Sequence, residues 1–334
     1  MKHLRLLFYA LALSLTFTAC GGSDDDDDNG GGSSGGGGNT PTGNNINANT
    51  GEGQNALVKS YVTNLEFPHL KESGNNIVII HIANGIGMNY AVEWDADKHS
   101  QRWSCYTMHN GNSSSITNRK PKESNGEFTE YPNDPFLDSK YHFTHDPYYG
   151  SGFDHGHIFP SADRAYGYNE QANRQTFYMT NMQPQVNGFN AGVWANMEAQ
   201  VRKWNNQAGT FRRDVLYIVK GGTIDNEANY GYIDASGNYI NKKYIGSGDN
   251  RIPVPLYFYM AVLCKKPQEQ GGGYEAAAFW IEHKNSADDK LLKYLVSIDE
   301  LEQKTGIDFF CNLPDDIENS VEKTIGASFK AGLQ

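Results

Sequence analysis

Ser151-Gly-Phe-Asp-His-Gly-His-Ile-Phe-Pro-Ser-Ala-Asp-Arg164 is the stretch that decides the reading of this chain, and Asp154-His155-Gly156-His157 is its centre. Gly152 to His157 reads as a short strand delivering a histidine. Further on, Thr180-Asn-Met-Gln-Pro-Gln-Val-Asn-Gly-Phe-Asn-Ala-Gly-Val-Trp-Ala-Asn-Met-Glu198 brings an amide, Asn190, and a carboxylate eight residues later. A neutral imidazole accepts a proton from water near pH 7, where an aspartate is too weak a base and a lysine is already charged. An amide oxygen and a carboxylate suit a hard cation such as magnesium, which keeps several of its own waters. Histidine, then amide, then carboxylate is an order suited to hydrolysing a phosphodiester. That bond resists attack because the phosphate is anionic and the alkoxide leaves poorly.

The two segments together resemble the paired motifs of the DNA/RNA non-specific endonucleases, a ββα-metal family whose first motif usually reads Asp-Arg-Gly-His. The resemblance extends over roughly Tyr61 to Glu322, including Gly306-Ile-Asp-Phe-Phe and the Leu-Pro-Asp-Asp that follows Cys311. It implies an α+β, ββα-metal nuclease fold with a mixed or antiparallel central sheet flanked by helices. It also implies hydrolysis of DNA and RNA to ends carrying 5′-phosphate and 3′-hydroxyl. By the same resemblance His157 is the general base and Asn190 the direct ligand of one Mg2+, with Mn2+ as a substitute. Glu198 acts on that ion through a water. Asn181 holds the ion's waters or the phosphate, and Arg119 clamps the scissile phosphate. His155 and Arg202 are placed on the substrate phosphate, and Asp154 organises the turn. His155 stands where the family usually has arginine, so it offers a cation only when protonated, or else a neutral hydrogen bond.

Asn190, Trp194, Glu198 and Arg202 recur at four-residue steps, which predicts one face of a helix spanning Asn190 to Asn205. The bland reading of that face is an amphipathic helix with a Glu198–Arg202 pair, worth about 0.3–0.5 kcal/mol. Trp194 is expected in the core. Strands are expected at Asn76–Ala83, Gln175–Thr180, Phe211–Gly221, Pro253–Lys265 and Tyr274–Ile281. A hairpin is expected from Asn89–Trp94 and Arg102–Met108 around a turn with Asp95, Asp97 and Lys98. The polar stretch from Gly111 to Tyr149 reads as a functional loop or lid. Ser297 followed by Glu300 predicts a capped helix ending at Gly306.

The N-terminus reads as an address. Lys2 and Arg5 precede an apolar run, Leu6 to Phe17, too short to span a bilayer. Residues 1–19 are therefore assigned as a signal peptide, and Leu15-Thr-Phe-Thr-Ala-Cys20 resembles a lipobox with Cys20 as the lipidated residue. Several acyl chains there would hold the protein at a membrane, since one chain binds only marginally. Residues 20–54, with Asp24 to Asp28 and then Gly, Ser, Asn and Thr, have almost nothing apolar to bury and read as a flexible tether. The acidic run resembles the surface-export signal of Bacteroides-type lipoproteins, and reads equally as a merely solvated spacer; with the lipobox, an outer-membrane lipoprotein is expected. Residues 55–334 then form one large domain. Of the four cysteines, Cys105, Cys264 and Cys311 remain for that domain. They exclude a C-x-x-C zinc site, allow at most one internal disulfide and do not say which pair makes it.

Net charge is −11, and setting aside Lys2, Arg5 and the five aspartates leaves −8 for residues 29–334. Whole-protein electrostatics thus argues against nucleic acid. Against this stand local cations near the motifs: Arg119-Lys120, Lys122, Arg164, Arg174, Arg202-Lys203 and Arg212-Arg213. Modest, salt-sensitive affinity is the expectation. Two other readings compete with a nuclease. His142, His145, Asp154, His155 and His157 could form a zinc hydrolase site, although that leaves the Asn190–Glu198 spacing unexplained. A nuclease scaffold could also capture nucleic acid at the surface without cutting it.

Overall fold

The computed structural model describes residues 43–113, 131–165, 167–286 and 290–333. The signal segment, Cys20, most of the tether and Arg119 lie outside the described residues. Long buried strands drive the architecture. The strands used below are β1 (Asn76–Ala83), β2 (Gly87–Asp95), β3 (Ser100–Met108), β4 (Asp154–His157), β5 (Met182–Gln185), β6 (Val215–Gly222), β7 (Tyr257–Lys265), β8 (Tyr274–Glu282) and β9 (Leu295–Val296). Seven of them form one antiparallel sheet in the order β1-β2-β3-β6-β7-β8-β9. β4 and β5 form a separate two-stranded ribbon. The hairpin turn is made by Asp95, whose Oδ1 accepts from the backbone N–H groups of Asp97 and Lys98 at 3.1 Å each.

Successive side chains of a strand point to opposite faces, and here both faces are buried. Tyr90, Val92, Trp94, Tyr106, Ile218, Met260 and Val262 feed one core. Met197, Val201 and Trp204 of the helix Ala195–Asn205 cover it, together with Ile158, Phe159 and Met182 beside the β4–β5 ribbon. Ala91, Trp103, Cys105, Val219, Ala261 and Leu263 feed the other, beneath Val58, Val62, Phe67 and the C-terminal Ile298, Leu301 and Phe309. The C-terminal helix Ile298–Thr305 starts as expected, with Ser297 Oγ accepting from Glu300 N at 3.1 Å. It stops at Gly306, whose φ of +67° lies in the left-handed region.

Four expectations need correction. The segment Gln175–Thr180 is not a strand: Asn169 caps a helix over Glu170–Gln175, a tight turn follows at Met179–Asn181, and the strand begins at Met182. Its adjacent aromatics, Phe177 and Tyr178, pack a turn, not a sheet. The helix expected from Asn190 starts irregularly, as detailed below. Residues 43–54, assigned to the tether, pack on the body through asparagines: Asn45 donates to the carbonyl of Cys311, and Asn49 N donates to Asn312 Oδ1 at 3.0 Å. Hydrogen bonding anchors this arm, so low hydrophobicity concealed it. Finally, Cys105, Cys264 and Cys311 are all buried free thiols, so no disulfide forms among them.

Gly156 explains itself here. A Cβ at this position would lie 2.3 Å from Gln185 Cδ, because the Gln185 side chain crosses the ribbon at that point. Overpacking of this kind costs about 1–3 kcal/mol. Gly156→Ala should lower the urea midpoint by a corresponding amount, and unchanged stability would mean that Gln185 swings aside freely.

Candidate active site

The ribbon sets the site. In the β4–β5 register His155 lies opposite Pro184 and His157 opposite Met182, so the two imidazoles share one face and Gly156 takes the other. That face opens on a cleft of about 850 Å³ lined by Asp154, His155, His157, Asn190, Glu198 and, from the loop before the motif, Tyr131 and Asp146.

His157 is held from behind and from the side. Its carbonyl accepts from Trp194 Nε1 at 2.9 Å, and its ring meets Phe177 edge-on at 5.1 Å. Trp194 is core, as expected, and also fixes the backbone of the histidine. Asn181 is fully buried. Its amide donates to the carbonyls of Phe159 (2.8 Å) and Thr176 (2.7 Å), while Oδ1 accepts from Phe159 N at 2.9 Å. Asn181 therefore does not reach an ion's waters or a phosphate. Its saturated amide locks the residues that follow His157.

Asn190 donates its amide N–H to Asp154 Oδ2 at 3.0 Å, and Asn187 donates to the same oxygen at 2.9 Å. With Nδ2 committed, Oδ1 is the end of the amide left for a cation. Asp154 thus orients Asn190 across the two motifs. The stripe expected from the four-residue steps is broken: residues Asn190–Trp194 form a π-helical turn in which Gly192 leaves helical geometry (φ −100°, ψ −113°), and the regular helix begins at Ala195. π-turns inside helices re-aim side chains. Here Trp194 enters the core while Asn190 and Glu198 both stay on the cleft. An amide oxygen and a carboxylate on one wall are an all-oxygen donor pair, which fits a hard divalent ion that retains waters.

His155 is not a free phosphate ligand. Its ring is stacked between Tyr131 (3.8 Å, 5°) and Tyr148 (4.0 Å, 25°), and Nε2 lies 3.1 Å from Asp146 Oδ1. Burial pulls the Asp146 carboxyl upward, but the His155 hydrogen bond holds it below its usual range. A flat ring fits between the two tyrosines and still lines the cleft. Arg202 is likewise committed: its guanidinium pairs with the buried Asp163 at 2.9 Å, and Tyr106 Oη donates to the same carboxylate at 2.9 Å. Phosphate contact by Arg202 would have to compete with that pair.

Of the other cations near the motifs, Arg164 and Arg213 turn inward, while Lys203 and Arg212 stay exposed. Arg164 is fully buried, donates to Asn89 and to backbone carbonyls, and is drawn down by burial to about 10. Arg174 pairs with Glu170, and Arg212 donates to the carbonyls of Gln207 and Gly209. Arg119, Lys120 and Lys122 fall outside the described residues. Nor do the histidines assemble a zinc site. His142 Nε2 lies 3.0 Å from the carbonyls of Asp134 and Leu137. Among the described residues, the only groups of three His, Cys, Asp or Glu with ligand atoms within 4.8 Å are acidic ones elsewhere.

Sequence reasoning missed Asp146, Asp163, Tyr131 and Lys220. Asp163 was visible in the motif's own Ala-Asp-Arg tail. Lys220 gave no signal: it sits mid-strand on β6, fully buried, with Nζ lacking a hydrogen-bond partner and lying 5.6 Å from the ring centres of both Tyr106 and Trp194. Burial lowers its pKa, while Glu198 and Asp163 pull it back up. It places a buried amine within electrostatic reach of Glu198 and Asp163.

Comparison with known proteins bears on the family and the fold. Residues 85–316 match the model of the DNA/RNA non-specific endonuclease family. "Nuclease 1, mitochondrial" of Schizosaccharomyces pombe is 29% identical over 213 residues, covering 63% of this chain and 61% of its own. A nuclease of Nostoc sp. is 31% identical over 187 residues (53% and 58%), and human mitochondrial endonuclease G is 26% identical over 187 (55% and 57%). The chain thus spans about three-fifths of the length of these relatives. The crystal structure of an EndoG/EndoGI complex aligns with a TM-score of 0.54 at 19% identity, covering 72% of this chain and 88% of that one. The fold is α+β, built on a large antiparallel sheet like that structure's, and the chain belongs to the DNA/RNA non-specific endonuclease family.

Proposed function

We propose that this chain is a sugar-nonspecific, metal-dependent endonuclease acting on DNA and RNA. The observation that carries the reading is the convergence of His157, Asn190 and Glu198, drawn from two separate motifs, on one cleft of about 850 Å³. His157 takes the proton from the attacking water, with Trp194 and Phe177 fixing where the imidazole stands. Asn190, oriented by Asp154, would hold one Mg2+ or Mn2+ together with Glu198. When bound, that ion neutralises phosphate charge and stabilises the departing oxygen. His155, clamped by two tyrosines and Asp146, lines the cleft in place of the family's usual arginine. We further propose that lipid on Cys20 anchors the enzyme to the outer membrane through the acidic tether.

His157→Ala should cut plasmid cleavage by about 10²–10⁴-fold in saturating magnesium while the folded state persists. The wild-type rate should fall on the acid side, because a protonated imidazole has no lone pair to accept the proton. Wild-type rates in the mutant, or no acid-side decline, would remove His157 as the base. Binding without cutting, by wild type with every divalent ion supplied, would instead mark a capture protein.

Asn190→Ala should raise the magnesium midpoint for cleavage while nucleic-acid binding in chelator stays near wild type. An unchanged titration would exclude Asn190 as the ligand. Cys20→Ser should move the protein from the membrane to the soluble fraction with cleavage intact; retention of the mutant in membranes would count against the lipid anchor.

A further inference from the structure

On the sheet face away from the cleft, the C-terminal segments bring acidic side chains together. The helix Ile298–Thr305 contributes Asp299 and Glu302, the turn after it Asp308, and the helix Asp315–Glu322 contributes Glu318. A fifth carboxylate, Glu322, points between these pairs. Its ligand oxygen lies within 4.8 Å of those of Asp308 and Glu318 on one side, and of Asp299 and Glu302 on the other. Glu322 is only 8% exposed, and its buried Oε1 has no hydrogen-bond partner. Water would satisfy such an oxygen at the surface; in the interior an unpartnered carboxylate oxygen is costly.

Nothing cationic among the described residues answers this charge. The nearby Lys304 pairs with Glu300 at 3.6 Å, and His69 only pulls weakly on Asp308. Glu318 and Glu322 stand four apart on one helix, where like charges repel. Burial first, and then the neighbouring acids, push Glu302 up to about 8 and Glu322 to about 9. A neutral oxygen donor is also at hand. Asn47, on the arm that precedes the domain, donates Nδ2 to Asp308 (3.0 Å) and Glu318 (2.9 Å), and its own Oδ1 is buried without a partner. Half a turn of that amide would aim Oδ1 at the same point, an arrangement that a cation between the oxygens, or a proton on one of the acids, would favour.

We propose that Asp308, Glu318 and Glu322, with Asn47, form a binding site for a hard divalent cation of the calcium class, bordered by Asp299 and Glu302. Calcium takes six to eight oxygen ligands in flexible geometry and tolerates several carboxylates, with water completing the shell. Such an ion would staple the N-terminal arm to the two C-terminal helices, far from the nuclease motifs. The proposal is independent of the catalytic reading.

The test uses the full chain stripped with chelator and then titrated with calcium alone, by calorimetry and thermal unfolding. The Asn190→Ala variant is run in parallel, so that binding at the cleft is not counted. Calcium should bind both proteins and raise Tm by about 5 °C at a hundredfold excess over Kd. Glu322→Gln and, separately, the more exposed Asp308→Asn should each weaken binding about tenfold or more; should Glu322→Gln fail to fold, Asp308→Asn carries the test. Absence of calcium binding in wild type, or binding lost with Asn190→Ala, overturns the proposal, as does binding unchanged in the folded variants. A wild type indifferent to calcium beside a Glu322→Gln variant with raised Tm in chelator would assign the cluster to carboxyls sharing protons.

Discussion

The cleft depends on one buried amide. Asn181 satisfies every hydrogen-bonding group of its side chain against the carbonyls of Phe159 and Thr176 and the N–H of Phe159. Its own carbonyl takes Ile158 N at 3.1 Å. These bonds weld the end of the histidine strand to the start of its partner, and a register slip of one residue would turn both imidazoles to the wrong face. A four-residue strand carries little register information of its own, so a buried side chain that accepts only one alignment has to supply it. The same economy appears at Asp154, which draws Asn190 to the histidine strand by a single hydrogen bond.

How much of this was legible follows from which interactions are local. Near-continuous apolar runs exposed the long strands of the sheet because both faces are buried, and Ser297 with Glu300 and Gly306 marked a helix with both its ends. The motif residues His157, Asn190 and Glu198 were named from sequence, and the fold brings them to one wall. Roles that depend on distant partners were not legible. Asn181 read as an active-site amide until its partners were seen to be backbone groups. Arg202 read as a phosphate ligand, yet Asp163 claims it. The helical stripe failed because a π-turn inserts at Gly192, and nothing in residue spacing announces a change of helical pitch. The arm carrying Asn45, Asn47 and Asn49 looked like linker because its contacts are polar.

The interior behind the cleft holds more charge than a stable core needs. Arg202, on the helix that carries Glu198, pairs with the buried Asp163, which also accepts from Tyr106, and Arg164 and Lys220 are fully buried near the Tyr106 ring. Buried ionic groups seldom add net stability compared with apolar residues of the same volume. On the proposed function their value would be electrical: fixed charges in a low-dielectric interior need no reorganisation as charge builds on a phosphate, and Lys220 lies 5.6 Å from the ring centre of Trp194, the residue that holds the His157 carbonyl.

The three buried thiols carry a different consequence. Cys264 lies in one core, Cys105 in the other, and Cys311 at the C-terminal turn, all unpaired. The domain therefore owes none of its stability to covalent cross-links and keeps the same native state in reducing and oxidising surroundings. Oxidation threatens it only before folding, when three accessible thiols can couple in wrong pairs or between chains. For this molecule burial of the thiols on folding is its antioxidant defence, and reductant should matter for the yield of refolding yet not for the persistence of the folded protein.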